Sequence, residues 1–294
     1  MMHKAGFVNI IGAPNVGKST LMNVLVGERL SIITSKAQTT RHRILGIVND
    51  EEYQIVFSDT PGIVDPAYKM HEGMMSFVHT ALNDADVLLV MVEIQEKSFK
   101  DNSILKKLQK IQTPIILLIN KIDEVEQDFL EEKVKYWAEQ LPMAKVFPIS
   151  ALHNFNVDQV LMEIKASLPE SPPFYDKDAL TDKPEKFFVS EIIREKILMN
   201  YKKEIPYSCE VEIEEFKEDQ RIIRIRAVIM VIRDSQKGII IGHQGKALKK
   251  VGTEARLDME KFFDKKVFLE LYVKVNKDWR NNETQLKRFG YLNR

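Results

Sequence analysis

Continuous apolar runs alternate with helical patterns over the first 170 residues. Several of these runs are apolar at every position, which is typical of strands buried on both faces of a sheet. The runs predict strands at 7–11, 44–48, 53–58, 87–92, 114–119 and 146–149. Between them, helical patterns cover 19–26, part of 63–85, 98–111, 127–140 and 157–168. This alternation predicts an α/β fold with a doubly wound, mostly parallel sheet, and a hairpin joins its second and third strands.

A second pattern begins after a polar, irregular stretch that contains several prolines. It predicts a helix over 186–201, strands over 208–214 and 221–231, a long helix over 247–263 and a last strand over 267–275. Because proline cannot continue a helix, this proline-containing stretch is typical of a connection between domains. The expected division is a first domain at 1–170, a linker at 171–185 and a smaller α+β domain with a C-terminal tail at 186–294.

Charge is distributed unevenly, although the 43 basic and 43 acidic residues of the 294-residue chain cancel. Residues 1–170 carry a net charge of −5, and residues 221–294 carry +10. The basic C-terminal quarter predicts a polyanionic partner. The single cysteine, Cys209, excludes an intrachain disulfide and favours the reducing cytoplasm. No apolar run approaches the about 20 residues that span a bilayer, so only peripheral contact with the inner face of the cell membrane stays open.

The stretch after the first strand fits the phosphate-binding pattern G-x-x-x-x-G-K-S, and it lies between a predicted strand and a predicted helix. Its glycines let backbone N–H groups converge on a phosphate. Lys18 is expected to bridge the β- and γ-phosphates, and the Ser19 hydroxyl is expected to bind Mg²⁺. The predicted nucleotide-binding residues here are Gly12, Ala13, Pro14, Asn15, Val16, Gly17, Lys18, Ser19 and Thr20.

A D-x-x-G sequence follows the third strand. Asp59, at the strand end, is expected to hold Mg²⁺ through water, and the N–H of Gly62 is expected to contact the γ-phosphate. Such a sequence alone is usually a turn. Its position after an apolar strand downstream of the phosphate loop favours the functional interpretation.

The sequence Asn120-Lys121-Ile122-Asp123 indicates which nucleotide binds. A carboxylate such as Asp123 can accept both N–H donors on one edge of guanine, whereas adenine would leave it unpaired. Asn120 is expected to contact the acceptor edge of the base, and the stem of Lys121 to stack on the base. A second loop, Ser150-Ala151-Leu152, completes the predicted site, with the Ala151 N–H directed to the guanine carbonyl.

Together these motifs resemble the small GTPase domain of the translation-factor-related class. The resemblance implies that Thr40, or alternatively Thr39, binds Mg²⁺ in the GTP state, and that the loops around Thr40 and Gly62 are switches. Where Ras-like relatives carry a water-orienting glutamine, this chain has Ile63, which cannot hydrogen-bond water. Similar GTPases with such a residue use the asparagine at the Asn15 position to bind K⁺. The candidate catalytic residues are therefore Lys18, Thr40, Gly62 and Asn15, with Mg²⁺ and K⁺ as expected cations.

The second domain has the element order of a type II KH domain, and its sequence I-I-G-H-Q-G-K resembles the KH signature. A G-x-x-G loop between helices can clamp about four nucleotides of an RNA backbone. Lysines beside it can neutralise phosphates. The predicted RNA-binding residues are Ile241, Gly242, His243, Gln244, Gly245, Lys246, Lys249 and Lys250. In the tail, Trp279, Phe289 and Tyr291 favour base stacking and packing on the domain equally.

A GTPase domain followed by a type II KH domain resembles the Era family of bacterial ribosome-associated GTPases over essentially the whole chain. The resemblance implies a monomeric GTP-hydrolysing switch that binds 16S rRNA and the small ribosomal subunit and assists its assembly. One alternative is a GTPase that gates a tRNA or rRNA modification or another RNA-processing step. A second is a pure RNA-binding module with a relic nucleotide site, against which the intact Lys18, Ser19, Asp59 and Asp123 argue.

Overall fold

A computed structural model describes residues 3–99 and 101–292. The chain divides into two compact units by its internal contacts. The first unit contains residues up to 67 together with 71–182, and the second contains 68–70 together with the residues from 183 onward.

The first unit is built on a mixed sheet of six strands within the described residues, in the order β2-β3-β1-β4-β5-β6. Only β2, which pairs with β3, is antiparallel to its neighbour there; the other described pairings are parallel. This arrangement confirms the predicted doubly wound fold and its hairpin. The strands are β1 Lys4–Gly12, β2 Ile44–Asn49, β3 Tyr53–Asp59, β4 Val87–Glu93, β5 Ile115–Asn120 and β6 Lys145–Pro148.

Helices cover the sheet, and their apolar sides close its core. Glycines bound the first of them: Gly17, at φ 107°, precedes it, and Gly27, at φ 80°, ends it. The helices of this unit are α1 Lys18–Val26, α2 Lys69–Asn83, α3 Asn102–Leu108, α4 Gln127–Gln140 and α5 Val157–Ser167.

Helix α3 is shorter than the 98–111 expected from the sequence. The Asp101 carboxylate accepts hydrogen bonds from the backbone N–H groups of Ser103 and Ile104 and so caps the helix. The chain therefore cannot be helical from 98, although the apolar pattern extends that far; Lys100 lies outside the described residues.

Much of the stretch expected to be a linker at 171–185 packs on the first unit. We call residues 174–182 the strap. It runs along β2, the edge strand, where the Ile47 N–H donates to the Leu180 carbonyl at 2.8 Å and the Thr181 hydroxyl donates to the Leu45 carbonyl at 2.6 Å. The compact first unit accordingly extends to Asp182.

The second unit packs helices on a sheet with the strand order β7-β8-β9, in which β7 and β8 are antiparallel and β8 and β9 are parallel. This is the α+β KH arrangement expected from the sequence. Apolar side chains such as Ile193, Ile225 and Met259 fill its core. The elements are α6 Glu185–Asn200, β7 Glu210–Glu218, β8 Ile222–Val231, α7 Asp234–Ile241, α8 Lys246–Phe263, β9 Lys266–Val275 and α9 Glu283–Arg288.

The tail resolves one alternative that the sequence leaves open. The side chains of Trp279 and Tyr291 are buried, and they donate hydrogen bonds to the Ser208 carbonyl and to Glu210. Both residues therefore stabilise the second unit from within, and neither ring is available for stacking on a base.

Candidate functional site

The phosphate loop is held in place by contacts that need glycine at two positions. At Gly12, a Cβ would lie 2.2 Å from the Met91 carbonyl oxygen. At Gly17, a Cβ would lie 2.2 Å from the Asn120 side-chain nitrogen, and the backbone is left-handed. Larger residues would push the loop away from the neighbouring strands β4 and β5.

Lys18 folds back over this loop. Its Nζ donates to the Gly12 carbonyl at 3.2 Å and to the Ala13 carbonyl at 2.8 Å. Burial lowers the pKa of Lys18 to about 8, and the nearby carboxylates of Asp59 and Glu96 oppose that shift. The ammonium group is thus buried against the backbone of the phosphate loop.

The three predicted Mg²⁺ ligands converge on one point. Ser19 Oγ donates to Asp59 Oδ2 at 2.7 Å and lies 2.8 Å from Thr40 Oγ1. Thr40 Oγ1 lies 3.2 Å from the same carboxylate oxygen. Two hydroxyls and a carboxylate are hard oxygen donors of the kind that Mg²⁺ prefers.

Asp59 is the buried carboxylate of this donor set. Its side chain is fully buried, and its Oδ1 atom has no hydrogen-bond partner among the described residues. Burial raises the pKa of Asp59, and the charge of Lys18 opposes this rise. A buried carboxylate oxygen without a partner is costly, so the donor set fits a bound cation.

The structure also separates the two threonines that the sequence could not. The Thr39 hydroxyl donates to the Lys36 carbonyl at 2.6 Å and lies 2.7 Å from the Thr34 hydroxyl, so it holds the loop internally. Thr40 is the one that contacts Ser19 and Asp59.

Gly62 and Ile63 lie directly against the phosphate loop. A Cβ at Gly62 would come within 2.7 Å of Pro14, and the Ile63 N–H donates to the Gly12 carbonyl at 3.1 Å. The Ile63 side chain is buried in the core of the unit. It therefore cannot orient a water molecule, in agreement with the chemistry of the residue.

Asn15 is the exposed member of the phosphate loop. It is left-handed at φ 65°, and its amide nitrogen donates to the Ser35 carbonyl of the following loop at 3.1 Å. Its amide oxygen is the atom that can serve as a cation ligand.

Asn120 connects the phosphate loop with the 150–152 loop. Its amide nitrogen donates to the Val16 carbonyl at 2.7 Å, and its amide oxygen accepts the Ala151 N–H at 2.9 Å. The sequence predicts contacts from both Asn120 and Ala151 to the base. In the structure, one Asn120 N–H remains for the base, whereas the Ala151 N–H would have to be shared with a guanine carbonyl.

Asp123 lies at the other end, partly exposed. The hydroxyl of Ser150 lowers the pKa of Asp123, which keeps the carboxylate charged. Lys121 forms an ion pair with Glu93 at 2.9 Å, which holds its long stem beside the site. His153 Nε2 lies 3.6 Å from Asp123 Oδ2.

A pocket of about 630 Å³ runs between these groups. Gly12, Ala13, Val16 and Asp59 are buried behind its lining. The predicted residues that line it are Pro14, Asn15, Gly17, Lys18, Ser19, Thr20, Thr39, Thr40, Gly62, Asn120, Lys121, Asp123, Ser150, Ala151 and Leu152. The lining also includes residues that the sequence did not single out, namely Ile32, Ile33, Thr34, Ser35, Gln38, Glu93 and Glu124. Most of these belong to the loop before Thr40, which shows no periodicity to mark them.

The G-x-x-G loop of the second unit lies between α7 and α8. Gly242 and Gly245 have φ values of 71° and 73°, and Gln244 between them is also left-handed. A Cβ at Gly242 would meet the Ala247 Cβ at 2.6 Å, whereas the space beside Gly245 is open. His243 and Gln244 are exposed, as are Lys246, Lys249 and Lys250 on α8, whereas Ile241 is half-buried.

An open groove of about 340 Å³ extends from this loop between α8 and β9. Of the predicted RNA-binding residues, Gly245 and Lys249 line it. Lys250 does not line the groove, and its Nζ lies 3.8 Å from Glu254 Oε1. The groove residues missed from the sequence are Leu248, Gly252, Thr253, Arg256, Leu269 and Leu271. Helical spacing from Gly245 through Lys249, Gly252 and Arg256 is the signal that could have identified one side of it.

No helix in the described parts of the chain is long and apolar enough to cross a membrane.

Two family models match the chain. The model described as "50S ribosome-binding GTPase" matches residues 7–121, and the one described as "KH domain" matches residues 204–280. The first match includes the phosphate loop, Asp59 and Asn120 and ends before Asp123, and the second includes the G-x-x-G loop and its groove.

Relatives and solved structures match over nearly the whole length. GTPase Era of Thermoanaerobacter sp. (strain X514) is 46% identical, covering 99% of this chain and 97% of that protein. GTPase Era of Staphylococcus haemolyticus (strain JCSC1435) is 44% identical, covering 99% and 98%.

Two crystal structures are similar throughout. One is a tyrosine-to-alanine variant of Aquifex aeolicus Era bound to GDP and AlF₄⁻, with a TM-score of 0.94, 38% identity and coverage of 98% of this chain and 99% of that one. The other, with the same four values, is Era in complex with MgGDPNP and nucleotides 1506–1542 of 16S ribosomal RNA. With these identities over almost the full length and both sites in place, the chain belongs to the Era family of GTPases.

Proposed function

We propose that this chain is a GTP-hydrolysing switch that binds 16S rRNA through its KH domain and assists assembly of the small ribosomal subunit. The observation that carries the proposal is that one chain holds both a guanine-nucleotide pocket with its Mg²⁺ ligand set and an exposed G-x-x-G loop with a groove. The relative bound to MgGDPNP and a 16S rRNA segment supports the choice of ligands. The 50S description belongs to a model that matches only the GTPase part.

In this proposal the nucleotide site works mainly by positioning charge. Lys18 neutralises the β- and γ-phosphates, and the Gly62 N–H contacts the γ-phosphate. Ser19, Thr40 and Asp59 hold Mg²⁺, which when bound supplies positive charge that stabilises the phosphoryl-transfer transition state. Asp123 selects guanine, and Asn120 aligns the phosphate loop with the 150–152 loop.

Since Ile63 is buried and cannot orient water, we propose that K⁺ supplies the remaining charge, with Asn15 as a ligand. Single-turnover GTP hydrolysis in K⁺ and in Na⁺ at equal ionic strength tests this. The proposal predicts faster hydrolysis in K⁺, and Asn15→Ala should remove the difference. Equal rates for the unaltered chain would rule out the K⁺ site and leave the GTPase assignment untouched.

The two functions should separate by mutation. Gly245→Asp places a carboxylate in open space and a side chain on a left-handed backbone, so it should abolish binding of an RNA with the 16S 3′-end sequence through charge repulsion and strain in the loop. Its intrinsic hydrolysis should stay unchanged. Lys18→Ala should have the opposite effect, losing nucleotide binding while binding RNA. Loss of both activities in both variants would contradict a division into two modules.

We also propose that the protein is a monomer and that it is located in the cytoplasm. There it contacts the inner face of the cell membrane peripherally. Light scattering after size exclusion tests the first part. Sedimentation with vesicles of anionic lipid tests the contact, and a chain that stays wholly in the supernatant would refute it.

A further inference from the structure

Arg43 lies at the end of the loop that carries Thr40 and directly before β2. Its guanidinium group donates to three side chains: Nε to Ser58 Oγ at 2.7 Å, Nη2 to Asn9 Oδ1 at 3.0 Å, and Nη1 to Asp84 Oδ2 at 2.6 Å. A fourth hydrogen bond joins Nη2 to Asp84 Oδ1 at 3.1 Å.

The three partners belong to the elements that carry the nucleotide site. Asn9 lies on β1, three residues before Gly12, and Ser58 lies on β3, directly before Asp59. Both are fully buried. Asp84 follows the last residue of α2, the helix after the Gly62 loop.

The network continues beyond the arginine. The Asn9 amide nitrogen donates both to Asp84 Oδ1 and to the Ala81 carbonyl at the end of α2, each at 2.7 Å. The end of the Thr40 loop, the phosphate-loop strand, the Asp59 strand and the end of α2 are therefore joined by side-chain hydrogen bonds. The guanidinium group makes these bonds from three nitrogens held in one plane, whereas a lysine ammonium has all three of its donors on a single nitrogen and cannot reproduce this spacing.

We infer that Arg43 is a positioning residue for GTP hydrolysis, an inference that rests on the proposed function. It fixes the end of the Thr40 loop against Ser58, so that Thr40 returns to the same place beside Asp59 and Ser19 whenever the loop orders around the γ-phosphate. Arg43 is not among the described residues that line the pocket, so it acts through Thr40.

The test uses the full-length protein and four variants: Arg43→Ala, Arg43→Lys, Asp84→Asn and Asp86→Asn. Asp86, two residues after Asp84, is the matched control. Its carboxylate accepts a hydrogen bond from the Phe7 N–H at 2.7 Å and makes no contact with Arg43 among the described hydrogen bonds. Three quantities are measured for each: the single-turnover rate constant, the Mg²⁺ concentration for half-maximal rate, and the affinities for GDP and a non-hydrolysable GTP analogue. Thermal unfolding confirms that each variant is folded.

We expect Arg43→Ala to lower the rate constant by about 10- to 100-fold, as misplacement of a ligand group does. The Mg²⁺ requirement should rise and the affinity for the analogue should fall, whereas the affinity for GDP should stay within about twofold, because Thr40 is expected to contact Mg²⁺ only in the GTP state. Arg43→Lys should resemble the alanine variant, Asp84→Asn should give a smaller change in the same direction, and Asp86→Asn should hydrolyse GTP normally.

An unchanged rate constant and Mg²⁺ requirement in Arg43→Ala would overturn the inference, and so would an equal loss of affinity for GDP and for the analogue. If Arg43→Ala does not fold, Arg43→Lys and Asp84→Asn decide by the same criteria. Absence of turnover by the unaltered chain would overturn the proposed function instead, and the ratio of the two affinities would still decide the role of Arg43.

Discussion

In the proposed function, Asp123 decides which base the pocket accepts. The Ser150 hydroxyl lowers the pKa of its carboxyl group, so both oxygens act as acceptors near neutral pH. Guanine offers two N–H donors on the edge that meets such a carboxylate. In the proposed function, Asp123, three residues after the end of β5, thus supplies the discrimination, while Asn120 contacts Val16 and Ala151.

Replacing Asp123 by asparagine should change the preferred base. The amide can still accept one hydrogen bond, but it faces the guanine amino group with a donor of its own. Xanthine carries a carbonyl in place of that amino group, so the variant should prefer xanthine nucleotides. We expect the affinity for GDP to fall by about 100-fold or more.

Fluorescence titration with labelled GDP and XDP measures both affinities. Glu126→Gln, which removes a nearby acid outside the pocket lining, serves as the control. An Asp123→Asn variant that binds GDP as tightly as the unaltered chain would contradict the role given to this carboxylate.

Thr39 and Thr40 form a natural matched pair, because Thr40 contacts Ser19 and Asp59, whereas the Thr39 hydroxyl contacts Lys36 and Thr34. Thr40→Ala should slow GTP hydrolysis by about 10- to 100-fold and raise the Mg²⁺ concentration needed for half-maximal rate. Thr39→Ala loses hydrogen bonds within the loop and should change the Mg²⁺ requirement little. A magnesium titration of hydrolysis separates them, and a larger shift for Thr39→Ala would reverse the assignment.

At the scale of elements, the strap turns an exposed sheet edge into a covered one. The buried Gln54 side chain accepts the N–H groups of Phe174 and Tyr175 at 2.7 and 3.0 Å. It also donates to the Tyr175 carbonyl and the Asn49 side chain, so all four of its hydrogen-bonding positions are used. Covering an edge strand in this way prevents unwanted pairing with other chains.

Gln54→Ala should therefore loosen the strap. The two backbone N–H groups lose their acceptor, and each costs about 1–3 kcal/mol if it stays buried and unpaired. In hydrogen exchange, the amides of Phe174, Tyr175 and Ile47 should lose protection, whereas those of β5 should keep it. Unchanged protection in the strap would show that Gln54 does not hold it.

The sequence predicts elements well where one local signal dominates. The apolar runs locate β4 and β5, and the glycines at 17 and 27 bound α1. The sequence does not predict contacts that depend on a residue far away along the chain. Gln54 looks like an ordinary polar position of a strand, and nothing nearby in the chain shows that it binds residues 120 positions away.

The candidate site divides in the same way. The motifs identify the phosphate loop, Asp59 and Asp123 because their spacing is tied to chemistry. The choice between Thr39 and Thr40, the contacts of Asn120 and the network around Arg43 depend on which atoms the fold brings together, so only the structure supplies them. The sequence does not identify Arg256 in the groove beside the G-x-x-G loop, because an arginine on a helix usually marks a solvated face.

At the scale of the whole molecule, the first unit holds the nucleotide pocket and the second holds the G-x-x-G loop with its groove. The functional claim is that the nucleotide bound in the first unit, GDP or GTP, changes the affinity of the second unit for RNA. Such coupling is a free-energy difference between two binding equilibria and holds in both directions.

The most direct test is therefore the affinity of the full-length protein for an RNA with the 16S 3′-end sequence, measured with bound GDP and with a bound non-hydrolysable GTP analogue in Mg²⁺. We expect RNA to bind at least about fivefold more tightly in the analogue state, which is the lower end of typical coupling between two sites. Equal affinity in the two states would contradict the claim that this chain is a GTP-controlled RNA switch.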